Sequence, residues 1–383
     1  MKTCVEIPGV GNLKIHPAMN KINNNYSNTA VICLSPFHGG MEMDAVRIAK
    51  LISSDVNVCL IAKSNSPIGN NYADELAQSN VELKTIQFKS KYSIAISYKT
   101  RKIIKEHNIK NVIYLGASEL GALTLAFLDL DINLIVRHGT TKSRPKKDFL
   151  HRLIYKNVNY HIAICKHLAK NIEYIFPFGE NTQLKTIYSS LRHFPEINQK
   201  PARCNNQIIK LIHVGRIIDV KGQKDAVDAC QVLFENNIPF ELNLLGDFEP
   251  GCESDFIRHL KSKPYNKQIH IKGFQTNLAE YYSQSDILLF PSHGEGLSNT
   301  FIEALSYGLV CIAYDNTSFP ELRDLGFEFY IAENLNLESL KSNLLEAIEY
   351  IKSENMPIND NIKLSQSLFT AHRELGEYLN LLK

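Results

Sequence analysis

The stretch that decides the fold runs from Asp286 to Gly308 and reads DILLFPSHGEGLSNTFIEALSYG. Its first part, residues 286–292, is a continuous apolar run, which predicts a strand that is buried on both faces. A loop with Gly294 and Gly296 follows, and a helical pattern begins near residues 298–300. A buried strand that leads directly into a helix is typical of a parallel sheet covered by helices. This stretch therefore favours an α/β fold.

The same alternation of apolar runs and helical patterns extends in both directions from this stretch. Around Pro195 and Pro201 it lapses into polar residues, which predicts a linker. We therefore expect two doubly wound, Rossmann-like domains that face each other across a cleft, where ligands of such sheets bind. The predicted boundaries are 1–190 for the first domain, 191–207 for the linker, 208–360 for the second domain, and 361–383 for a C-terminal helix that returns to the first domain. The predicted strands are Ala30–Ser35, Val56–Lys63, Val81–Phe88, Asn111–Gly116, Asn133–Gly139, Tyr160–Lys166, Ile208–Gly215, Phe240–Gly246, Ile269–Phe274, Asp286–Ser292, Leu309–Tyr314 and Phe327–Ala332, with helices including Glu42–Ser53 and Ser93–Glu106.

The composition of the 383 residues is that of a folded globular protein, with 44% hydrophobic and 21% charged residues. The longest apolar runs are far shorter than the roughly 20 residues that cross a bilayer. The N-terminal residues show no apolar segment behind a basic start, and the eight cysteines include no CxxC pair. We therefore expect a cytoplasmic protein whose thiols are reduced and mostly buried.

Charge is divided unevenly along the chain. Residues 1–195 hold 25 Lys and Arg against 14 Asp and Glu, a net charge of +11, which leaves −9 for the remainder. Two basic segments, Lys84–Lys105 and Lys142–Lys170, contain seven and eight of these cations. They are either solvated helix faces or a contact with anionic lipid at the inner face of the plasma membrane or with a phosphorylated glycolipid. No nucleic-acid recognition motif accompanies them, so nucleic acid is disfavoured.

Two carboxylates dominate the deciding stretch: Glu295 lies in the loop and Glu303 in the predicted first turn of the helix. Glycines let backbone amides approach a ligand, and a helix N-terminus favours anions, so this loop suits a diphosphate flanked by hydroxyl groups. A structural alternative exists for one of the two. Thr300 and Glu303 have the spacing of a capping box, in which Glu303 would only stabilise the helix.

Two further loops follow the first strand of each domain. In the second domain, Gly215 turns the chain, Arg216 offers a planar fork to phosphate oxygens, and Lys221 supplies a point charge. Alternatively, both cations are simply solvated. In the first domain, Gly39 and Gly40 form a glycine-rich turn before a helix, a pattern that suits a phosphate or sugar but also any tight turn.

Taken together and in this order, these three segments resemble the family-4 retaining glycosyltransferases of GT-B architecture. The matching motifs are Gly39-Gly40-x-Glu42, the segment from Gly215-Arg216 to Lys221-Gly222, and the segment from Pro291 to Ala304, which contains the family's paired glutamates. The resemblance implies transfer of a sugar from a nucleotide-diphosphate sugar to a glycan or glycolipid acceptor, as in lipopolysaccharide or capsule synthesis. It implies no separate cofactor and no metal.

The resemblance also implies roles for single residues. Arg216 and Lys221 would bind the donor diphosphate, Glu303 the ribose hydroxyls and Glu295 the transferred sugar. His138 would either face the donor sugar or be bonded to nearby backbone. The remaining implied donor contacts are Gly39, Gly40, Gly215, Phe274 near the nucleobase, Gly296, Leu297 and Ser298.

The sequence departs from the family's pattern in two places. Gly246-Asp247 replaces the usual Gly-x-Gly after the second strand of the second domain. Tyr188-Ser189-Ser190-Leu191 replaces the usual Asn-Gly-Val-Asp at the junction between the domains. The contacts that these segments make in the family are therefore not carried over to this chain.

Retention in this family resembles front-face attack, in which the leaving phosphate takes the acceptor's proton and no protein nucleophile is required. Positive groups at the diphosphate then stabilise the transition state. Asp129-Leu-Asp131 resembles the metal-binding Asp-x-Asp of other glycosyltransferases, but it lies far along the chain from the donor loops. Three alternatives remain at this point: an epimerase or phosphorylase of the same architecture, a dinucleotide-dependent oxidoreductase, and a carbohydrate-binding protein without activity. The oxidoreductase is disfavoured because no GxGxxG follows the first strand.

Overall fold

The computed structural model describes residues 26–37, 39–116, 118–191, 194–195, 207–352 and 358–383. These residues form two sheets in which all neighbouring strands are parallel. The first sheet has the strand order β3-β2-β1-β4-β5-β6-β7 and the second the order β10-β9-β8-β11-β12-β13. The strands are β1 Thr29–Cys33, β2 Val58–Lys63, β3 Val81–Ile86, β4 Asn111–Leu115, β5 Asn133–His138, β6 Tyr160–Ala163, β7 Gln183–Thr186, β8 Ile209–Val214, β9 Phe240–Leu245, β10 Ile269–Gly273, β11 Ile287–Phe290, β12 Val310–Tyr314 and β13 Tyr330–Ala332.

Helices cover both faces of each sheet, and short 3₁₀ turns at Asp219–Lys221 and Asn266–Gln268 complete the second domain. The helices are α1 Gly40–Ile52, α2 Pro67–Asn71, α3 Ala73–Ala77, α4 Ile94–Glu106, α5 Leu120–Ala126, α6 Phe149–Tyr155, α7 Lys166–Ile175, α8 Gln223–Ala229, α9 Gln231–Glu235, α10 Glu253–Lys261, α11 Leu278–Gln284, α12 Asn299–Ser306, α13 Phe319–Asp324, α14 Leu337–Lys352, α15 Ile358–Leu368 and α16 Ala371–Leu381.

The central strands are buried because they are apolar on both faces. Every residue of β1, β4, β11 and β12 is buried, as expected for strands between two helical layers. The prediction of two doubly wound α/β domains is thus confirmed.

Several strands are shorter than the sequence predicts, and one strand was not predicted. The edge strand β7 was not predicted, because three of its four residues are polar and the strand alternates between exposed and half-buried positions. The strand predicted for Phe327–Ala332 is shorter, since Phe327 leaves the sheet and packs on the ring of Phe369, with 5.9 Å between the ring centroids. Most of the predicted linker lies outside the described residues.

The last helices divide between the domains. Helix α15 packs on α12 of the second domain, whereas α16 packs on α1 of the first. There Tyr378 and Leu382 are fully buried. The side-chain amides of Asn111 and Asn133, at the starts of β4 and β5, donate to the carbonyls of Leu382 and Leu381 at 3.2 and 2.7 Å. Helix α16 is therefore part of the first domain's core.

Among the described residues, no helix combines the length and apolar character needed to span a bilayer. The described cysteines are free thiols, and all of them except Cys252 are buried.

Candidate active site

The carboxyl ends of the two sheets face each other, and a cavity of about 340 Å³ lies between them. The second domain contributes Leu297, Asn299 and Glu303 to its wall, while the first contributes Gly40 and its neighbours. A larger groove of about 1070 Å³ lies at the other end of the first sheet, beside the starts of β5 to β7. The cleft cavity, not this groove, adjoins the loops that the sequence singled out.

The two loops of the second domain are joined to each other. Gly222, with φ of +74°, lies so close to β11 that a Cβ atom there would be 1.8 Å from the carbonyl oxygen of Pro291. The backbone N–H of His293 and the hydroxyl of Ser292 both donate to the carbonyl of Val220, at 3.0 and 3.2 Å. The glycine after Lys221 thus permits the contact that fixes one loop against the other.

This contact brings Lys221 and Glu295 together. The Lys221 ammonium is 2.6 Å from Glu295 Oε1, and the Ser292 hydroxyl donates to the same oxygen at 3.1 Å. Arg216 is not part of this group: its guanidinium pairs with Glu249 at 2.6 Å, and its side chain is 67% exposed. Of the two cations predicted at the diphosphate, the structure therefore places only Lys221 beside Glu295.

Helix α12 begins differently from the predicted capping box. Ser298 is the N-cap, and its hydroxyl accepts the backbone N–H of Phe301 at 3.3 Å. Glu303 consequently lies two residues further into the helix than a capping box requires, so it cannot cap the N-terminus, and the capping alternative is wrong. Its Oε2 instead accepts the hydroxyl of Tyr282 at 3.2 Å. Burial, and next the charge of Glu303, raise the pKa of Tyr282 well above its ordinary value.

Other glycines permit close approaches around the cleft. A Cβ atom on Gly296 would be 3.1 Å from the carbonyl oxygen of Gly139 in the other domain, so the loop that precedes α12 touches the first domain. One on Gly246 would be 2.2 Å from the carbonyl of Gly215. Gly39 and Gly40 begin α1, and Gly40 faces the cavity with no atom near its missing side chain.

His138 is buried below the cleft and paired with a second histidine. Its Nε2 is 2.9 Å from Nδ1 of His161, and its ring lies 4.6 Å from that of Phe176. The structure thus pairs His138 with a side chain and not with the nearby backbone, while a position beside the donor sugar stays a prediction. Burial lowers the pKa of His138 well below its ordinary value, helped by His161, and burial lowers the pKa of His161 to about 4. Both rings are therefore neutral at neutral pH.

Phe274 lies at the end of β10 with 69% of its surface exposed. Gly273 before it has φ of +65°, and the backbone N–H of Phe274 donates to Asp247 at 3.1 Å. The Asp247 that departs from the family's pattern thus holds the loop that carries Phe274.

Sequence reasoning missed a network of charges on the floor of the cavity. Asp44 of α1 accepts Nε of Arg137 at 2.7 Å and Nη2 of Arg47 at 2.6 Å. Arg47 also donates to both oxygens of Glu374 in α16, at 2.5 and 2.8 Å. Burial alone would raise the pKa of Asp44, but Arg137 and Arg47 outweigh it and hold that pKa below its ordinary value. The hydroxyl of Ser189, in the junction segment that departs from the family's pattern, accepts a hydrogen bond from Nη2 of Arg137 at 2.8 Å.

One signal for this network was present in the sequence. Asp44 and Arg47 have i, i+3 spacing on the predicted first helix, immediately after the glycine pair, and Arg137 precedes the selected His138. Glu374 has no such signal, because it is 327 residues from Arg47.

A carboxylate of the second domain joins the two domains across the cleft. Glu321 of α13 accepts the backbone N–H groups of Lys166 and His167, at 2.8 and 3.1 Å, which are at the N-terminus of α7. It also accepts the hydroxyl of Tyr188 at 2.6 Å. A helix N-terminus stabilises negative charge, so this contact stabilises the observed arrangement of the domains.

The chain is similar to known glycosyltransferases. Residues 195–363 match the family model described as Glycosyl transferases group 1. The chain is 22% identical over 338 residues to the capsular polysaccharide biosynthesis glycosyltransferase CapH of Staphylococcus aureus, covering 84% of this chain and 90% of that protein.

Solved structures share the fold along nearly the whole chain. A glycosyltransferase from Rickettsia africae superposes with a TM-score of 0.79 at 16% identity, covering 94% of this chain and 98% of that one. Anabaena HepE, solved in complex with UDP and glucose, gives a TM-score of 0.72 at 14% identity, with 93% and 99% covered. The match of residues 195–363 to the family model, the similarity to CapH and the shared two-domain fold together support a glycosyltransferase with the GT-B fold.

Proposed function

We propose that the protein is a retaining glycosyltransferase that transfers a sugar from a nucleotide-diphosphate sugar to a glycolipid or polysaccharide acceptor of a bacterial cell surface. The similarity to a capsule enzyme supports the acceptor class, and the HepE complex supports a uridine nucleotide as a first donor to test. The observation that carries the proposal is the pair of joined loops that sets Lys221 and Glu295 next to the N-terminus of α12.

The donor would lie along these loops. The diphosphate would meet the Lys221 ammonium and the backbone N–H groups that begin α12, since both favour an anion. The ribose hydroxyls would be held by Glu303 on the cavity wall. Glu295, which already accepts two hydrogen-bond donors, would orient the transferred sugar. Arg216 would reach the diphosphate only after it leaves Glu249.

The proposed reaction requires no protein nucleophile. The bond between the sugar's anomeric carbon and the phosphate oxygen breaks, and the acceptor oxygen bonds to the same face of that carbon. The acceptor's proton passes to the departing phosphate oxygen. Lys221 lowers the barrier because the negative charge it faces grows as the leaving group departs.

The proposal is tested by screening nucleotide sugars for thermal stabilisation and then analysing products by NMR. We expect one donor to be consumed only with an acceptor present and the anomeric configuration to be retained. An inverted product would contradict the retaining mechanism. Epimerised sugar nucleotide, or binding without turnover, would contradict transfer altogether.

We also predict that transfer survives exhaustive chelation. Lys221 supplies positive charge at the diphosphate, and Asp131 of the Asp-x-Asp segment lines the groove at the opposite end of the first domain. Activity with EDTA and in Asp131→Ala checks this. Loss of activity that Mn²⁺ or Mg²⁺ restores, together with an inactive Asp131→Ala, would refute metal independence.

A further inference from the structure

Large apolar side chains are exposed on the outer helical layer of the first domain. On α4, Ile94 is 81% exposed and Tyr98 lies one turn further along. On α6, Phe149 is 83% exposed, and Leu150 and Leu153 are also exposed. Burying such side chains is the main favourable term in folding and association, so a cluster of them indicates a contact surface.

These side chains belong to one continuous surface because the helices lie side by side. The hydroxyl of Ser97 in α4 donates to the carbonyl of Ala122 in α5 at 2.7 Å. Thr124 of α5 donates to the carbonyl of Ile154 in α6 at 3.1 Å. Leu125 is exposed between the two contacts. We call this the α4–α6 surface, and its apolar members are Ile94, Tyr98, Leu125, Phe149, Leu150 and Leu153.

Cations surround this apolar surface. Lys91, Lys142 and Lys146 lie close together, and none of them forms an ion pair with a described residue. Burial lowers the pKa of Lys146, and the charges of Lys142 and Lys91 lower it further, as expected for cations that face one another without an acid between them. Lys147, Arg152 and Lys156 lie exposed on and beside α6.

The other domain has the opposite character. Helix α14 presents Glu338, Glu346 and Glu349 to solvent, and residues 196–383 have a net charge of −9. An anionic surface would therefore attract the first domain and repel the second.

We propose that the α4–α6 surface lies on a membrane that contains anionic lipids, with Phe149, Leu150 and Leu153 inserted among the headgroups. Exposed apolar side chains within a ring of Lys and Arg are the pattern of an interfacial contact. An acidic polysaccharide would satisfy the cations, but it offers no apolar partner to Ile94, Leu150 and Leu153. A second copy of the chain would place one basic surface against another.

The test uses the full chain and vesicles of phosphatidylcholine, with and without 30% phosphatidylglycerol, in a flotation assay. We expect at least ten-fold stronger binding to the anionic vesicles at 0.1 M salt, weakened at 0.5 M. The variant Phe149→Ser/Leu150→Ser/Leu153→Ser should lose at least ten-fold in binding, as should Lys91→Glu/Lys142→Glu/Lys146→Glu. All these side chains except Lys142 and Lys146 are exposed, and circular dichroism checks that both variants are folded.

The matched control is Phe234→Ser/Leu335→Ser, which removes exposed apolar side chains from the second domain and should bind like the unaltered protein. Equal binding to neutral and anionic vesicles, or unchanged binding of the α6 variant, would overturn the proposal. Binding to dextran sulfate without binding to vesicles would assign the surface to a polyanion instead. A dimer in light scattering that the α6 variant abolishes would assign it to a second copy. No donor or acceptor enters these assays, so their outcome is independent of the proposed transfer reaction.

Discussion

At the scale of single residues, Glu303 is the clearest test of the donor site. We predict that Glu303→Gln lowers donor affinity and turnover about 10- to 150-fold, the effect of losing a hydrogen bond to a charged group worth about 1.5 to 3 kcal/mol. The free energy of unfolding should change little, because Ser298 and not Glu303 caps α12. Donor titration and urea unfolding measure the two quantities. Tyr282→Phe is the control for the hydroxyl contact, and unchanged donor affinity in Glu303→Gln would remove this residue from the site.

Buried histidines make the free energy of unfolding depend on pH. His213 donates Nε2–H to the carbonyl of Lys221 at 2.9 Å and stacks on Phe290, and burial lowers its pKa to about 4. The unfolded chain takes up a proton near pH 6.5, whereas the folded chain does so only near pH 4. Stability is therefore complete above pH 6.5 and is lost as the pH falls toward 4.

At pH 5 this single histidine should lower the free energy of unfolding by about 2 kcal/mol relative to pH 7. His213→Gln keeps a donor near Nε2, so it should remove that share of the pH dependence in urea unfolding. His372→Gln, on the exposed side of α16, is the control. An equal slope for His213→Gln and the unaltered protein would contradict the assignment.

Whether a residue of the site could be predicted from the sequence depends on how far apart its contact partners lie along the chain. Lys221 and Glu295 were selected because each lies within a few residues of a glycine turn and a strand end. The pair of His138 with His161 joins two neighbouring strands, and the bond from Arg47 to Glu374 joins two helices far apart along the chain. Periodicity and motif spacing report only local partners, so these contacts became visible only when the chain was folded.

At the scale of elements, the contact between the 3₁₀ turn at residues 219–221 and the end of β11 holds together the two loops that are proposed to bind the donor. We predict that Gly222→Ala lowers the free energy of unfolding by about 2 to 4 kcal/mol, because the added Cβ atom collides with Pro291 and the backbone is left-handed. Gly376→Ala is the matched control. It lies in α16 with no atom within 4 Å of the added group, and it should raise stability by about 0.5 to 1 kcal/mol.

Urea unfolding of both variants measures these changes. If Gly222→Ala is as stable as the unaltered protein, the two loops are not held together as described. Donor affinity should fall with stability in Gly222→Ala, because the turn that positions Lys221 would shift.

Some secondary-structure elements could be predicted from the sequence and others could not. The buried central strands were predicted because continuous apolar runs of this length fit few other structures. The edge strand β7 was not, because it pairs on one side only and Leu184 is its single apolar residue.

At the scale of the whole molecule, Glu321 governs how the two domains meet. We predict that Glu321→Gln shifts the protein toward an open form, because the amide keeps only one acceptor and its NH₂ group would face a backbone N–H of α7. Loss of one hydrogen bond to a charged group corresponds to about 1.5 to 3 kcal/mol. The radius of gyration from small-angle scattering should increase, and kcat/KM should fall.

Tyr188→Phe removes one of the three bonds to Glu321 and should give a smaller change in the same direction. Circular dichroism spectra and the thermal unfolding transition of each domain check that both variants remain folded. An unchanged radius of gyration and unchanged kcat/KM in Glu321→Gln would show that this contact does not influence closure.

The position of α16 on the first sheet also has a consequence for how the protein folds during synthesis. Tyr378 and Leu382, which cover β4 and β5, are translated after the entire second domain. At about 5 to 20 residues per second, a ribosome takes roughly 10 to 40 s to travel from the end of β7 to residue 382. During that interval the amides of Asn111 and Asn133 lack their carbonyl partners, and the apolar surface around α1 is uncovered. The domain made first is therefore completed last, and its nascent form presents to chaperones the surface that α16 later covers.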